Sequence, residues 1–158
     1  MSGFLPQALF SEVVAAAPLI SIDLILKSQD QRILLGERLN RPAQGFWFVP
    51  GGRIYKNEKL DAAFSRIAFE ELGLERARSE ATFLGAYEHM YQDSQFGEHL
   101  FDSSTHYVVL AYGMNVDEGL LENLPKLQHG DYRWWDLHAL MASNQVHQHT
   151  KNYFLSDE

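Results

Sequence analysis

Two adjacent carboxylates, Glu70 and Glu71, lie near the end of a helical stretch that follows a glycine pair, Gly51-Gly52. Leu60, Phe64, Ile67 and Glu71 succeed one another at steps of four, three and four, which places all four on one helix face. A carboxylate that continues an apolar row sits at the rim of the core or is held for a purpose, and this row aims back toward the glycines. Backbone carbonyls from the glycine loop together with Glu71 would form an oxygen site suited to a hard cation such as Mg²⁺. Arg38, Arg41 and Arg53 flank the same loop in a chain with few basic residues, so they are either a local anion site or solvated surface charge. Asp23 interrupts a strand rich in Ile and Leu. It faces solvent on a half-exposed strand or has a partner, because an unpaired buried carboxylate is costly.

The chain holds seven histidines. His99, His138, His147 and His149 stand in polar or terminal surroundings and read as surface residues. No pair has the spacing of a zinc motif. His129 follows Gln128 in a loop just before a strand, where mobility could carry a base into a cleft, although a loop histidine is more often without such a role.

These residues must be positioned by the stretch Gly45 to Leu74. Phe46-Trp47-Phe48-Val49 is a strand signal ended by Pro50, and adjacent glycines let the backbone turn sharply and come close to a ligand. A helix follows, with Asn57 as its N-cap, acid at Glu58 and Asp61, and Gly73 past its C-terminus. Upstream, 4–17 reads as a helix with Leu5, Leu9, Val13 and Ala16 on one stripe, closed by Pro18. Segments 19–27 and 32–38 form a hairpin around a turn at 28–31. Downstream, strands are expected at 81–92, 106–116 and 132–137, and short helical pieces at 138–142 and 147–155. A polar loop, 93–104, is a candidate lid. Strands and helices alternating around a glycine-rich turn suggest a mixed sheet between helices, an α/β fold.

Composition narrows the function. At 158 residues the chain is read as one domain, 1–158, with enough apolar residues for a real core. Thirteen Lys and Arg against 21 Asp and Glu give a net charge of −8, which disfavours nucleic acid as a partner. There are no cysteines, no apolar run of membrane-spanning length and no signal-peptide pattern, so the expectation is a cytoplasmic protein with no membrane partner.

Gly52, Glu58, Arg66, Glu70, Glu71, Gly73 and Leu74 match the Nudix box, G-x5-E-x7-R-E-U-x-E-E-x-G-U, with one departure: the Glu expected after Arg66 is Ile67. The run Asn40 to Arg53, the segment Thr105 to Leu110 and the segment Gln128 to Trp134 resemble those of the GDP-mannose mannosyl hydrolases. The resemblance extends in order over nearly the whole chain. It implies the Nudix α/β/α sandwich, a homodimer, and a small-molecule GDP-sugar as substrate. It implies one Mg²⁺ per subunit, which Mn²⁺ could replace, held by Glu71, Gln128 and the carbonyl of Gly51. It places Asp23 by the sugar, Arg38 and Arg53 at the diphosphate and sugar, and His89 and Tyr107 along the site. Phe4, Leu5 and Phe10 would approach the guanine. His129 would be the base.

The expected activity is hydrolysis of GDP-mannose, and of GDP-glucose, to GDP and free sugar by water attack at the anomeric carbon with inversion. Ile67 removes a carboxylate from the face that would otherwise gather metals around phosphorus. Glu70 and Glu58 are expected to be structural, Glu70 in a salt bridge with Arg66. The alternatives are a Nudix pyrophosphohydrolase that cleaves P–O in a nucleoside diphosphate sugar, and a nucleotide-sugar-binding module without activity.

Overall fold

The computed structural model describes residues 5–40, 43–92, 104–119, 124 and 129–157, with the backbone alone at 129, 130, 156 and 157. The elements in order are α1 (Gln7–Ala16), β1 (Leu19–Lys27), β2 (Ile33–Arg38), β3 (Trp47–Phe48), β4 (Gly51–Arg53), α2 (Leu60–Leu72), β5 (Thr82–Tyr91), β6 (Thr105–Asn115), β7 (His129–Trp135), α3 (Leu137–Ala142) and α4 (Gln148–Lys151). A 3₁₀ segment, Asn152–Asp157, follows α4.

The described strands form one mixed seven-stranded sheet, β3-β2-β1-β6-β5, with β4 added to β1 and β7 to β2. The β1–β6 pairing is parallel and runs from Leu19↔Tyr107 to Lys27↔Asn115. β1 is apolar along most of its length because a central strand is covered on both faces. Alternation divides its side chains. Ile22, Leu24 and Leu26 pack with Phe64, Ile67 and Leu72 of α2. Ile25 joins Leu35, Trp47, Leu140, Tyr153 and Phe154 on the opposite face. Asp23, two residues before Ile25, therefore faces the C-terminal segment.

α2 bears out the apolar row read from the sequence: Phe64, Ile67 and Glu71 are buried, and Leu60 lies at the exposed rim. Burying Phe64, Ile67 and Leu72 contributes about 1.5–3 kcal/mol each. Gly73 ends the helix in the left-handed conformation at φ 67°, as its lack of a Cβ allows. The helix starts later than expected. Its N-cap is Lys59, without a side-chain cap bond, and Asn57 instead adopts φ 68° in the preceding turn, a conformation asparagine tolerates. In α1 the expected stripe does not carry the packing; Val14 is the buried residue, and Leu9 is exposed.

The glycine pair does not make the sharp turn expected of it. Gly51-Gly52-Arg53 is a short strand, antiparallel to β1, with Asp23 opposite Gly51 and Ile22 opposite Gly52. Glycine is required for closeness. A Cβ at Gly51 would overlap the Asp23 carboxylate and the Ile22 carbonyl, and one at Gly52 would press on Ile67 at 3.1 Å.

The C-terminal segment clasps β3. Trp47 donates its backbone N–H to Gln145 at 2.8 Å and accepts from His147 at 3.2 Å, and the Val49 N–H donates to the Thr150 hydroxyl at 3.4 Å. Replacing Gly51 with Ala is expected to lower the urea midpoint by an amount equivalent to about 1–3 kcal/mol, the usual cost of forcing a methyl into a filled space; an unchanged midpoint would show that β4 can move away from β1.

Candidate active site

A cleft of about 290 Å³ opens where β4, the end of β2, β6 and α2 meet, and its walls include Asp23, Arg38, Arg53, Glu71, His89 and Tyr107. Arg38, Arg53 and Asp23, far apart in sequence, are thus brought together at one cleft. Arg53 lies over two rings, 4.8 Å from the centre of Phe10 and 5.0 Å from that of Tyr55. Arg38 lies 5.8 Å from the centre of Phe48. A cation over an aromatic face is attracted by the ring's negative face, which holds these guanidinium groups against the cleft wall. Burial pushes the Tyr107 hydroxyl above its ordinary range, against the pull of Arg38 and Arg53.

Arg66 holds the loop between β4 and α2. It donates to both oxygens of Glu58, at 2.7 and 3.0 Å, to Glu70 at 3.0 Å and to the Arg53 carbonyl at 2.7 Å. Glu58 also accepts from the Tyr55 backbone N–H at 3.0 Å. The hydrogen bond from Arg66 holds the Glu58 carboxyl below its usual range, against a smaller effect of burial. The structural roles expected for Glu58 and Glu70 are seen in these bonds.

Glu71 differs from its neighbour. Its side chain is buried. Burial and the adjacent Glu70 raise its carboxyl to about 7, against the pull of Arg38 and Arg66. Ile67, one turn earlier, is 1% exposed and packs beneath Gly52. Where the box has a carboxylate, this chain uses an aliphatic residue to seat the glycine strand on α2. Among the described residues no three His, Asp or Glu side chains converge as a metal site. The donors present are hard oxygens, which fit Mg²⁺ of the kind completed by waters and substrate phosphates. Gln128, expected to be a ligand, lies outside the described residues.

At the far wall the Tyr153 hydroxyl donates to Oδ2 of Asp23 and lies 3.2 Å from Nε2 of His89. With Asp23 ionised, the Tyr153 oxygen accepts, so His89 Nε2 carries the proton. His89 stacks on His149 with ring centres 4.4 Å apart and planes at 4°. His149 lies 4.6 Å from His147, and His147 stacks on Phe48 at 4.8 Å. Burial and the neighbouring rings lower His89 to about 3, and burial and His149 lower His147 to about 4. Burial pushes the Asp23 carboxyl up to about 7, against the Tyr153 bond and Arg38.

Several expectations need correcting. His147 and His149 are not surface residues but half-buried rungs of this ladder, because the C-terminal segment folds over β3. His89 lines the cleft but is 4% exposed, with Nε2 engaged by Tyr153. Phe10 reaches the cleft, whereas Leu5, only half-buried before α1, is not among the residues lining it. The backbone of His129 is the first residue of β7, paired opposite Arg38, rather than part of a loop. Phe4, Arg41 and most of the expected lid, 93–103, lie outside the described residues. Sequence reading missed Tyr153, although His147, His149 and Tyr153 at intervals of two and four were a visible cluster of polar rings.

A family model described as the NUDIX domain matches residues 18–155. The low-salt glycan biosynthesis protein Agl8 of Haloferax volcanii is 40% identical over 118 residues, 75% of this chain and 72% of that protein. The crystal structure of a MutT NUDIX hydrolase from Burkholderia pseudomallei is similar with TM-score 0.61 and 27% identity, covering 86% of this chain and 95% of that one. The NUDIX domain of Shewanella oneidensis NrtR, complexed with ADP ribose, aligns with TM-score 0.63 and 20% identity, covering 97% of each chain.

Glu71 makes a pH prediction. Its folded carboxyl is raised from 4.5 to about 7, so between those values the folded protein binds a proton the unfolded chain has released. That stabilising contribution is complete below the unfolded value and lost as pH rises through the folded one. Glu71→Gln lacks it. In EDTA, the stability of the variant relative to wild type should rise between pH 5 and pH 8 by roughly 1–3 kcal/mol, as read from denaturation curves; a constant difference would contradict the buried, ionisable placement.

Proposed function

The chain belongs to the Nudix hydrolase family, and from that premise we propose that it hydrolyses GDP-mannose, and GDP-glucose, to GDP and free sugar by attack at carbon. The observation that carries this reading is Ile67, buried beneath Gly52 at the place of a box carboxylate. It leaves Glu71 as the one buried acid on the α2 face, too few ligands to assemble several metals around phosphorus. The glycan biosynthesis role in the name of the 40% identical relative agrees with a nucleotide-sugar substrate.

In this reading the diphosphate lies between Arg38 and Arg53, the guanine approaches Phe10, and the sugar meets Asp23 and Tyr107. Glu71, Gln128 and the Gly51 carbonyl would hold Mg²⁺, or Mn²⁺ in its place, which would supply positive charge against the diphosphate. Water adds to the anomeric carbon as the bond from that carbon to the β-phosphate oxygen breaks. The electron pair leaves with GDP, and His129 takes the proton from water. The sugar is released with inverted configuration. The reading includes one Nudix domain over 1–158, acting as a homodimer in the cytoplasm.

A second reading, cleavage of P–O to give GMP and sugar phosphate, is favoured by the retention of Glu70 beside Glu71. The engagement of Glu70 with Arg66 at 3.0 Å weighs against it. Hydrolysis in ¹⁸O-labelled water separates the two. Label in mannose with unlabelled GDP is expected; label in a phosphate would replace this reading with ordinary Nudix chemistry. Binding of GDP-mannose without turnover would point to a binding module. His129→Ala is expected to slow turnover by about 10²–10⁴-fold, the usual contribution of a general base, with GDP affinity retained.

A further inference from the structure

Asp23 has two carboxylate oxygens with different surroundings. Oδ2 accepts from the Tyr153 hydroxyl. Oδ1 lies over Gly51, where even a methyl group would overlap it. The Tyr153 ring is 6% exposed and makes an edge contact with Tyr87, centres 4.6 Å apart. Its hydroxyl is in turn held by Nε2 of His89, 3.2 Å away, and His89 is fixed by its stack on His149, which lies 3.1 Å from the Met90 carbonyl through Nε2. A run of buried and half-buried polar groups thus ends on one oxygen of a cleft carboxylate. The Tyr153 bond occupies Oδ2 and opposes rotation of the carboxylate.

We propose that Tyr153 is a positioning residue that locks Asp23 so that Oδ1 alone accepts one hydroxyl of the bound glycosyl group, which makes Tyr153 a determinant of sugar discrimination and not of nucleotide binding. This role rests on the nucleotide-sugar reading above. A hydroxyl-directed acceptor held in one orientation discriminates strongly between a substrate that has the hydroxyl and one that lacks it, whereas a rotating carboxylate can follow either. The Tyr153 phenol never touches the sugar in this arrangement; it acts through Asp23.

The test compares wild type, Tyr153→Phe, Asp23→Ala and the double variant on GDP-mannose and on GDP-sugars lacking one sugar hydroxyl each. Tyr153→Phe should reduce kcat/KM for GDP-mannose on the order of 10–100-fold, the range known for partners that orient metal-ligating side chains, taken here as the scale for an orienting hydrogen bond. One deoxy analogue should lose much less. Inhibition by GDP should not change. In the Asp23→Ala background, removing the Tyr153 hydroxyl should cause no further loss, because a residue acting through another is non-additive with it.

Equal losses on every substrate, or additive losses in the double variant, would overturn the role while leaving the proposed function standing. Wild-type protein that hydrolyses none of these compounds would overturn the proposed function, and this role with it. Because Tyr153→Phe could unsettle the C-terminal segment, Tyr87→Leu serves as a packing control that removes the adjoining ring and leaves the hydroxyl on Asp23. A matching change of selectivity in that control would also count against the proposal.

Discussion

The close approach of β4 to β1 is the constraint on which the rest of the site depends. Gly51 sits opposite Asp23 with no room for a side chain, and Gly52 sits opposite Ile22 with Ile67 beneath it. Once these backbones are in contact, Arg53 must leave the end of β4 at the mouth of the cleft. α2 must present Glu71 beneath the same strand. The Arg66 guanidinium, bound to Glu58, Glu70 and the Arg53 carbonyl, then ties the end of β4 to the helix. Four hydrogen bonds from one planar cation fix a loop that has little secondary structure of its own, a task to which a single-point ammonium is poorly suited.

The same geometry separates two carboxylates adjacent in sequence. Glu70 is turned outward and neutralised by Arg66. Glu71, about 100° further round the helix, is buried and carries a raised proton affinity. Neighbouring acids on a helix do not share an environment, and here one serves the loop while the other faces the cleft.

Much of this was legible in the sequence, for identifiable reasons. The row Leu60, Phe64, Ile67 and Glu71 follows helical periodicity, and the hairpin and the long strands follow from their apolar runs. Arg38, Arg53 and Asp23 were recognisable because charged residues near a glycine pair, or inside an apolar strand, are unusual enough to require a partner. Three kinds of feature were not legible. The glycine pair reads as a turn because local sequence does not reveal that another strand lies within touching distance. The start of α2 is displaced because Asn57 is a good cap by type, yet tertiary bonds of Glu58 and Arg66 occupy the approach. The histidine ladder depends on the C-terminal segment crossing β3, a contact between residues about a hundred positions apart. Periodicity carries no information about such pairings.

The bond between Asp23 and Tyr153 spans 130 residues. Loop-closure entropy must be met before a contact of that separation gives any return. During synthesis, β1 through β6 can pair and α2 can cover one face while Asp23 still lacks its partner. A nascent chain that has emerged only through α3 therefore lacks the partner of Asp23, so this wall of the cleft is ordered only once the C-terminal segment has folded over β3.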